Sequence, residues 1–311
     1  MRRRAFIAGV SACAAVPVPT SAATESEPEM RIIRRGGINL ATQAFGDPSG
    51  VPLLLIMGAT ASMLGWPDAL CEALARSGHY VVRYDHRDTG QSTAVPLGSA
   101  AYDVEDMAGD ALAVMDGYSL ASAHLMGMSL GGFIAQMLAV SHPDQVRSLV
   151  LIASEPLGWD GADLPHIDPA LLDHFAALPA LDWSDRAAVA AFLLEIDRIS
   201  AGPRAIFDET AARGRIAEVL SRMQSPASMF NHAARTTRGD WTGAFRTIRQ
   251  PTLVIHGEMD PVLPLANGQA LADGIPGATL AVLKDVGHGL PVAELDRIAD
   301  LVAVHVRDAG D

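Results

Sequence analysis

Three residues of this chain have the types and the order needed for nucleophilic attack on a carbonyl: Ser129, Asp260 and His288. A serine hydroxyl attacks only when a base takes its proton and an acid holds that base in one tautomer. Ser129 sits in Gly127-Met128-Ser129-Leu130-Gly131, a G-x-S-x-G pattern. Alone this is a weak signal, because chance gives it to roughly one chain in ten of this length. The surroundings carry more. The apolar run AHLMGM precedes the serine and the helix-forming stretch GGFIAQMLAVSH follows it, the strand-turn-helix setting of a nucleophile elbow. In such an elbow the acid and then the base come later in the chain. TLVIHGEMDPVLP offers Asp260 after an apolar run, in a turn with Pro261, and ATLAVLKDVGHGLP offers His288 after the next run, between two glycines.

Other residues compete for these roles. Glu258, two residues before Asp260, is the first alternative acid, and Glu155 is the second. Asp285 is too close to His288 in sequence to do more than shape its loop, and His256 at a strand end reads as packing. Attack on a carbonyl builds an oxyanion that needs backbone donors. The N–H after the nucleophile, Leu130, is one. The loop Met57-Gly58-Ala59-Thr60, after an earlier apolar run, supplies the other through Ala59. Trp66 and Met128 are candidate substrate contacts, with plain packing the competing reading for both. His232 is a further histidine within reach of substrate, without a role assigned. Asp85, His86 and Asp88 crowd one loop, but no second cluster of ligands accompanies them. That loop reads as a self-bonded brace, and no metal site is expected.

The elements that must position these residues follow from hydropathy. RIIRR and INLATQAF look like two short strands joined at Gly36-Gly37. Apolar runs then recur at 51–58, 80–85, 123–128, 148–153, 252–257 and 278–283, separated by helical patterns such as DVEDMAGDALAVMDGYS. Short continuous apolar runs suit strands buried on both faces, and strand-helix alternation predicts an α/β fold with helices on both sides of a mostly parallel sheet. Residues 156–250 hold no convincing strand and read as helices, DPALLDHFAAL, DRAAVAAFLLEIDRI and GRIAEVLSRM, forming a cap. The expected organisation is a core over 24–155 and 251–311 interrupted by that cap.

With the motifs in hand, the chain resembles the α/β-hydrolase superfamily over roughly residues 30–305. The triad order, the Met-Gly loop and the helical insertion carry the resemblance. Leu64-Gly65-Trp66-Pro67 and the loop Arg83-Tyr84-Asp85-His86-Arg87-Asp88-Thr89-Gly90-Gln91-Ser92-Thr93 narrow it to esterases similar to aclacinomycin methylesterase. General members carry Asp-x-Arg-Gly-x-Gly-x-Ser there, and Asp88 replaces the first glycine. The resemblance implies an α/β-hydrolase fold and a cofactor-free serine esterase acting on a small or medium carboxylic ester, including methyl esters. A lactonase, amidase, perhydrolase or carbon–carbon bond hydrolase would use the same triad. A ligand-binding receptor on this scaffold is the alternative outside enzymes.

Composition sets the outer limits. The chain has 311 residues, 49% hydrophobic, with a net charge of -13, so a large core is available and a nucleic-acid partner is excluded for want of a basic surface. The start, MRRRAFIAGVSACAAVPVPTSAA, has a basic head, a short apolar stretch and small residues at its end. That is the layout of a cleavable export signal over residues 1–23, with Arg3-Arg4 resembling the twin-arginine type. Cys13 would leave with it, and Cys71 would remain as a small buried hydrophobe. No later segment has the 18 or more apolar residues of a membrane span. The partner expected is therefore a small-molecule ester, met outside the cytoplasm.

Overall fold

The structure, a computed structural model, describes residues 30–310, so the export signal expected over residues 1–23 lies outside the described residues. Strand β1 (Met30–Arg35) turns at Gly36-Gly37 into β2 (Ile38–Phe45), and the two pair antiparallel. From there strands and helices alternate: β3 (Val51–Ile56), α1 (Asp68–Arg76), β4 (His79–Tyr84), α2 (Val104–Gly117), β5 (Ala123–Met128), α3 (Leu130–Ser141) and β6 (Val146–Ile152). After a long helical interval come β7 (Thr252–Gly257), α7 (Ala266–Gly274), β8 (Thr279–Leu283) and α8 (Leu295–Ala309). The strands form one sheet in the order β1-β2-β4-β3-β5-β6-β7-β8, parallel from β4 onward. Every residue of β4, β5 and β7 is buried, as continuous apolar runs require in a sheet covered on both faces.

Side chains of a strand alternate between faces, and Val51–Ile56 shows what that does here. Leu53 and Leu55 enter one core with Leu70 and Leu74 of α1 and Ile298 and Val302 of α8. Leu54 and Ile56 enter the other with Met107 and Val114 of α2, Ile134 of α3 and Leu271 of α7. Both faces are therefore largely apolar, with a few paired polar groups such as His124 and Ser148 (2.7 Å) set among them. Strand β3 is followed in sequence by β4 on one side and later flanked by β5 on the other. Such a reversal, at the carboxyl ends of β3 and β5, is the place where open α/β sheets bind ligands.

The interval between β6 and β7 contains three α-helices, α4 (Pro169–Phe175), α5 (Arg186–Ser200) and α6 (Glu209–Arg222), and, longest of its three 3-10 segments, Pro226–Ala234. Each helix starts behind an aspartate, Asp168, Asp185 or Asp208, whose carboxylate accepts a backbone N–H of the first turn. The Asp208 cap explains why α6 begins at Glu209, five residues before the pattern that starts at Gly214. The 3-10 segment was not expected, because its residues PASMFNHAA show no helical stripe.

Candidate active site

The elbow forms as its glycines require. Ser129 has φ +52° and ψ -121°, a left-handed conformation that a non-glycine residue adopts only when its surroundings impose it. The Ser129 N–H donates to the carbonyl of Ile152 (2.9 Å), and the Ser154 hydroxyl donates to the Ser129 carbonyl (2.9 Å). A Cβ at Gly131 would overlap the carbonyl of Ile56, and one at Gly127 would overlap the backbone of Gly131. The strand, the turn and α3 can close on one another only with hydrogen at both positions. Ser129 itself is half-buried at the first turn of α3. The Leu130 N–H belongs to that turn, where amides have no intrahelical acceptor.

The loop after β3 packs directly on the elbow: a Cβ at Gly58 would lie 3.2 Å from the Ser129 Cβ and 3.9 Å from its Oγ. Ala59 follows at once, half-buried, and then Thr60 with φ +63°. Of the two residues expected to donate to an oxyanion, Ala59 thus follows the glycine that packs on Ser129, and Leu130 follows Ser129 itself at the start of α3.

Asp260 and His288 meet. Leu283 ends β8, and five residues later His288 Nδ1 lies 2.7 Å from Asp260 Oδ2, with the aspartate side chain fully buried and the histidine 12% exposed. Asp260 Oδ1 accepts the N–H groups of Val262 and Leu263, each at 2.8 Å, which fixes the carboxylate plane. His256 is buried beside it. Its Nε2 donates to the Leu263 carbonyl (2.7 Å), and burial holds the ring below the ordinary histidine range, so it is a neutral prop. Of the alternative acids, Glu258 is turned toward the loop before His288. Glu258 accepts the N–H of Asp285 (3.2 Å), and Asp285 pairs with Arg204 (3.1 Å). Burial raises the Glu155 carboxyl, with His166 opposing.

Two substrate contacts expected from sequence sit differently. Trp66 has no exposed surface and packs with Met57, Leu70 and Cys71, because Gly65 and α1 fold it under the loop. Met128 is 5% exposed and packs in the same core. Cys71 is buried too, and desolvation pushes its thiol up to about 12. The crowded loop after β4 is a brace, as expected. Asp85 accepts the N–H groups of Met63 (2.7 Å) and Gln91 (3.0 Å), and Asp88 accepts the Tyr102 hydroxyl (2.6 Å) and the Val95 N–H (2.7 Å).

Sequence reasoning missed how the insertion grips these loops. The His288 N–H donates to the carbonyl of Ser200 at the end of α5 (2.7 Å). Arg222 of α6 reaches the buried Asp85 (3.1 Å). Asn231 reaches Asp88 (3.1 Å), and His232 accepts the Thr60 N–H at Nδ1 (3.1 Å). These partners are 88 to 172 residues apart in the chain, and no local pattern announces them.

Comparison with known proteins agrees with this architecture. A family model described as the alpha/beta hydrolase fold matches residues 51–292. A rhodomycin D methylesterase from a Streptomyces species is 32% identical, the match covering 90% of this chain and 98% of that one. A second rhodomycin D methylesterase, from Streptomyces peucetius, is 31% identical over the same shares. Among solved structures, a hydrolase from Pseudomonas aeruginosa superposes with a TM-score of 0.68 at 26% identity, covering 91% of this chain and 98% of that one.

Proposed function

The chain belongs to the alpha/beta hydrolase fold family, and from that premise we propose that it is a cofactor-independent serine hydrolase cleaving a carboxylic ester through an acyl-enzyme. The observation that carries the proposal is the 2.7 Å contact of His288 Nδ1 with the buried Asp260, on the sheet edge that also carries the strained Ser129. With Nδ1–H donated to the carboxylate, the lone pair of His288 is on Nε2, the atom a base must use.

In this reading Ser129 Oγ attacks the ester carbonyl carbon as His288 Nε2 takes its proton. The tetrahedral oxyanion is stabilised by the Ala59 and Leu130 N–H groups. Collapse breaks the bond to the alkoxy oxygen, and His288 returns the proton to the leaving alcohol. Water then attacks the acyl-enzyme, giving its proton to His288, and collapse releases the acid and restores the Ser129 hydroxyl. Methyl esters are the favoured subclass, supported by the similarity to the rhodomycin D methylesterases over nearly the whole chain. The helices between β6 and β7 act as a cap that selects the acyl group. Residues 1–23 act as a cleavable export signal, and N-terminal sequencing of exported protein tests this: an intact Met1 there overturns it.

Ser129→Ala tests the central claim. It should abolish hydrolysis of p-nitrophenyl butyrate and labelling by a fluorophosphonate while leaving thermal unfolding unchanged. Retained turnover in that variant refutes the mechanism. Failure of the native chain to complete more than one cycle per molecule favours a binding protein instead.

A further inference from the structure

We propose that His232, carried by the insertion, is a positioning residue for the oxyanion loop. It acts on that loop through Thr60 and not on substrate. The inference rests on the serine-hydrolase reading of the same site.

The loop Met57-Gly58-Ala59-Thr60 has no large side chain to anchor it beyond Met57, and Thr60 holds φ +63°, a conformation that β-branched residues avoid. It is fixed by two histidines, one at each end. His86 Nε2 donates to the Met57 carbonyl (2.8 Å), and His232 Nδ1 accepts the Thr60 N–H (3.1 Å). A ring nitrogen that accepts carries no proton, so the proton of His232 is on Nε2, where it is donated to the Arg87 carbonyl (2.8 Å). Both hydrogen-bonding positions of the ring are therefore used, and none is left for a ligand. The rings of His86 and His232 meet edge to face, with centroids 5.7 Å apart.

His232 is itself a firm post. The segment Pro226–Ala234 is tied down by the Ser228 hydroxyl on the Asp88 carbonyl (2.8 Å) and by Asn231 on the Asp88 carboxylate (3.1 Å). Asn231 also accepts the Gly98 N–H (2.8 Å). The chain between the two clamped ends is Gly58-Ala59, and Gly58 packs against the Ser129 side chain, so in the serine-hydrolase reading the two clamps set where the Ala59 N–H points. Without the His232 acceptor, Thr60 is free to leave its left-handed conformation, and the Ala59 N–H moves with it. The oxyanion loop is thus completed by a residue of the insertion.

The test compares His232→Leu, which removes both ring bonds, with His232→Asn, whose side-chain oxygen restores an acceptor near the Nδ1 position. For p-nitrophenyl butyrate, His232→Leu should lower kcat by about 10- to 100-fold with KM changed less than about 2-fold, because a displaced donor weakens the transition state alone. His232→Asn should recover most of kcat. Native kcat in the Leu variant, or an Asn variant as slow as Leu, overturns the proposal. A Leu variant altered only in KM also overturns it and indicates a direct substrate contact. Amide hydrogen exchange at Thr60 gives a readout that needs no turnover. The Thr60 amide should be protected in native protein and His232→Asn and exposed in His232→Leu. If turnover does not depend on Ser129, the serine-hydrolase reading fails, while equal Thr60 protection in all three proteins refutes the clamp itself.

Discussion

Replacing Asp260 by asparagine removes one charge and almost no volume, and the surroundings dictate how the new amide must sit. Oδ1 accepts two backbone N–H groups, from Val262 and Leu263, both at 2.8 Å. An amide NH₂ placed there would set donor against donor twice, so the asparagine oxygen keeps that side. Its NH₂ then takes the place of Oδ2, 2.7 Å from His288 Nδ1 and 3.5 Å from His256 Nε2. Facing a donor, His288 must accept at Nδ1 and carry its proton on Nε2, which leaves no lone pair to deprotonate Ser129. A wrong-tautomer block of this kind costs about 10⁴-fold in kcat, or roughly 5 kcal/mol of barrier. Stability should suffer far less, because the two N–H groups remain satisfied. Asp260→Ala separates the effects: it strands both N–H groups and should cost about 1–3 kcal/mol of folding free energy for each. The assay is kcat with p-nitrophenyl butyrate beside urea unfolding for both variants. A folded Asp260→Asn protein keeping a tenth of native kcat would refute the tautomer argument.

Two further outcomes follow from buried charge. His232 is held down to about 3 by burial, against an ordinary histidine value of 6.5. Above 6.5 it is neutral in both folded and unfolded chains and contributes nothing to pH dependence. Between 6.5 and 3 only the unfolded chain takes up the proton, so stability falls with acid at up to about 1.4 kcal/mol per pH unit for this group. His86, His256 and His305 are lowered by burial in the same sense. Urea midpoints should therefore drop between pH 7 and pH 5, less so in His232→Asn, and a flat profile contradicts the burial argument. Separately, Arg87 holds the fully buried Asp110 through Nε and Nη2, both at 2.7 Å. Arg87→Met leaves that carboxylate only the part-exposed Arg35, 3.2 Å away, and should cost about 1.5–3 kcal/mol, read as a lowered melting temperature, and an unchanged one overturns the assignment.

Much of this was legible in the chain itself because the signals are local. Continuous apolar runs marked the strands to within about two residues, since a strand buried on both faces has no polar face to hide. The export signal has the same local character but lies beyond the described residues. Gly127 and Gly131 marked the elbow because backbone passes through the space where side chains would be. Asp260 and His288 were legible as residues just past strand ends, in the right order.

Trp66 shows where that reasoning stops. Its place after the oxyanion loop suggested a pocket wall, yet the fold turns it wholly inward, and sequence position says nothing about which way a loop residue faces. His232 shows the same limit from the other side: it was visible as a histidine within reach of substrate and turned out to hold Thr60, 172 residues earlier. The strands, the elbow and the order of Ser129, Asp260 and His288 could be read from the sequence alone, because each depends on neighbours along the chain. Which acid meets His288, which aromatic is buried and what steadies Thr60 came only from the folded chain, because those are contacts between segments that the sequence keeps far apart.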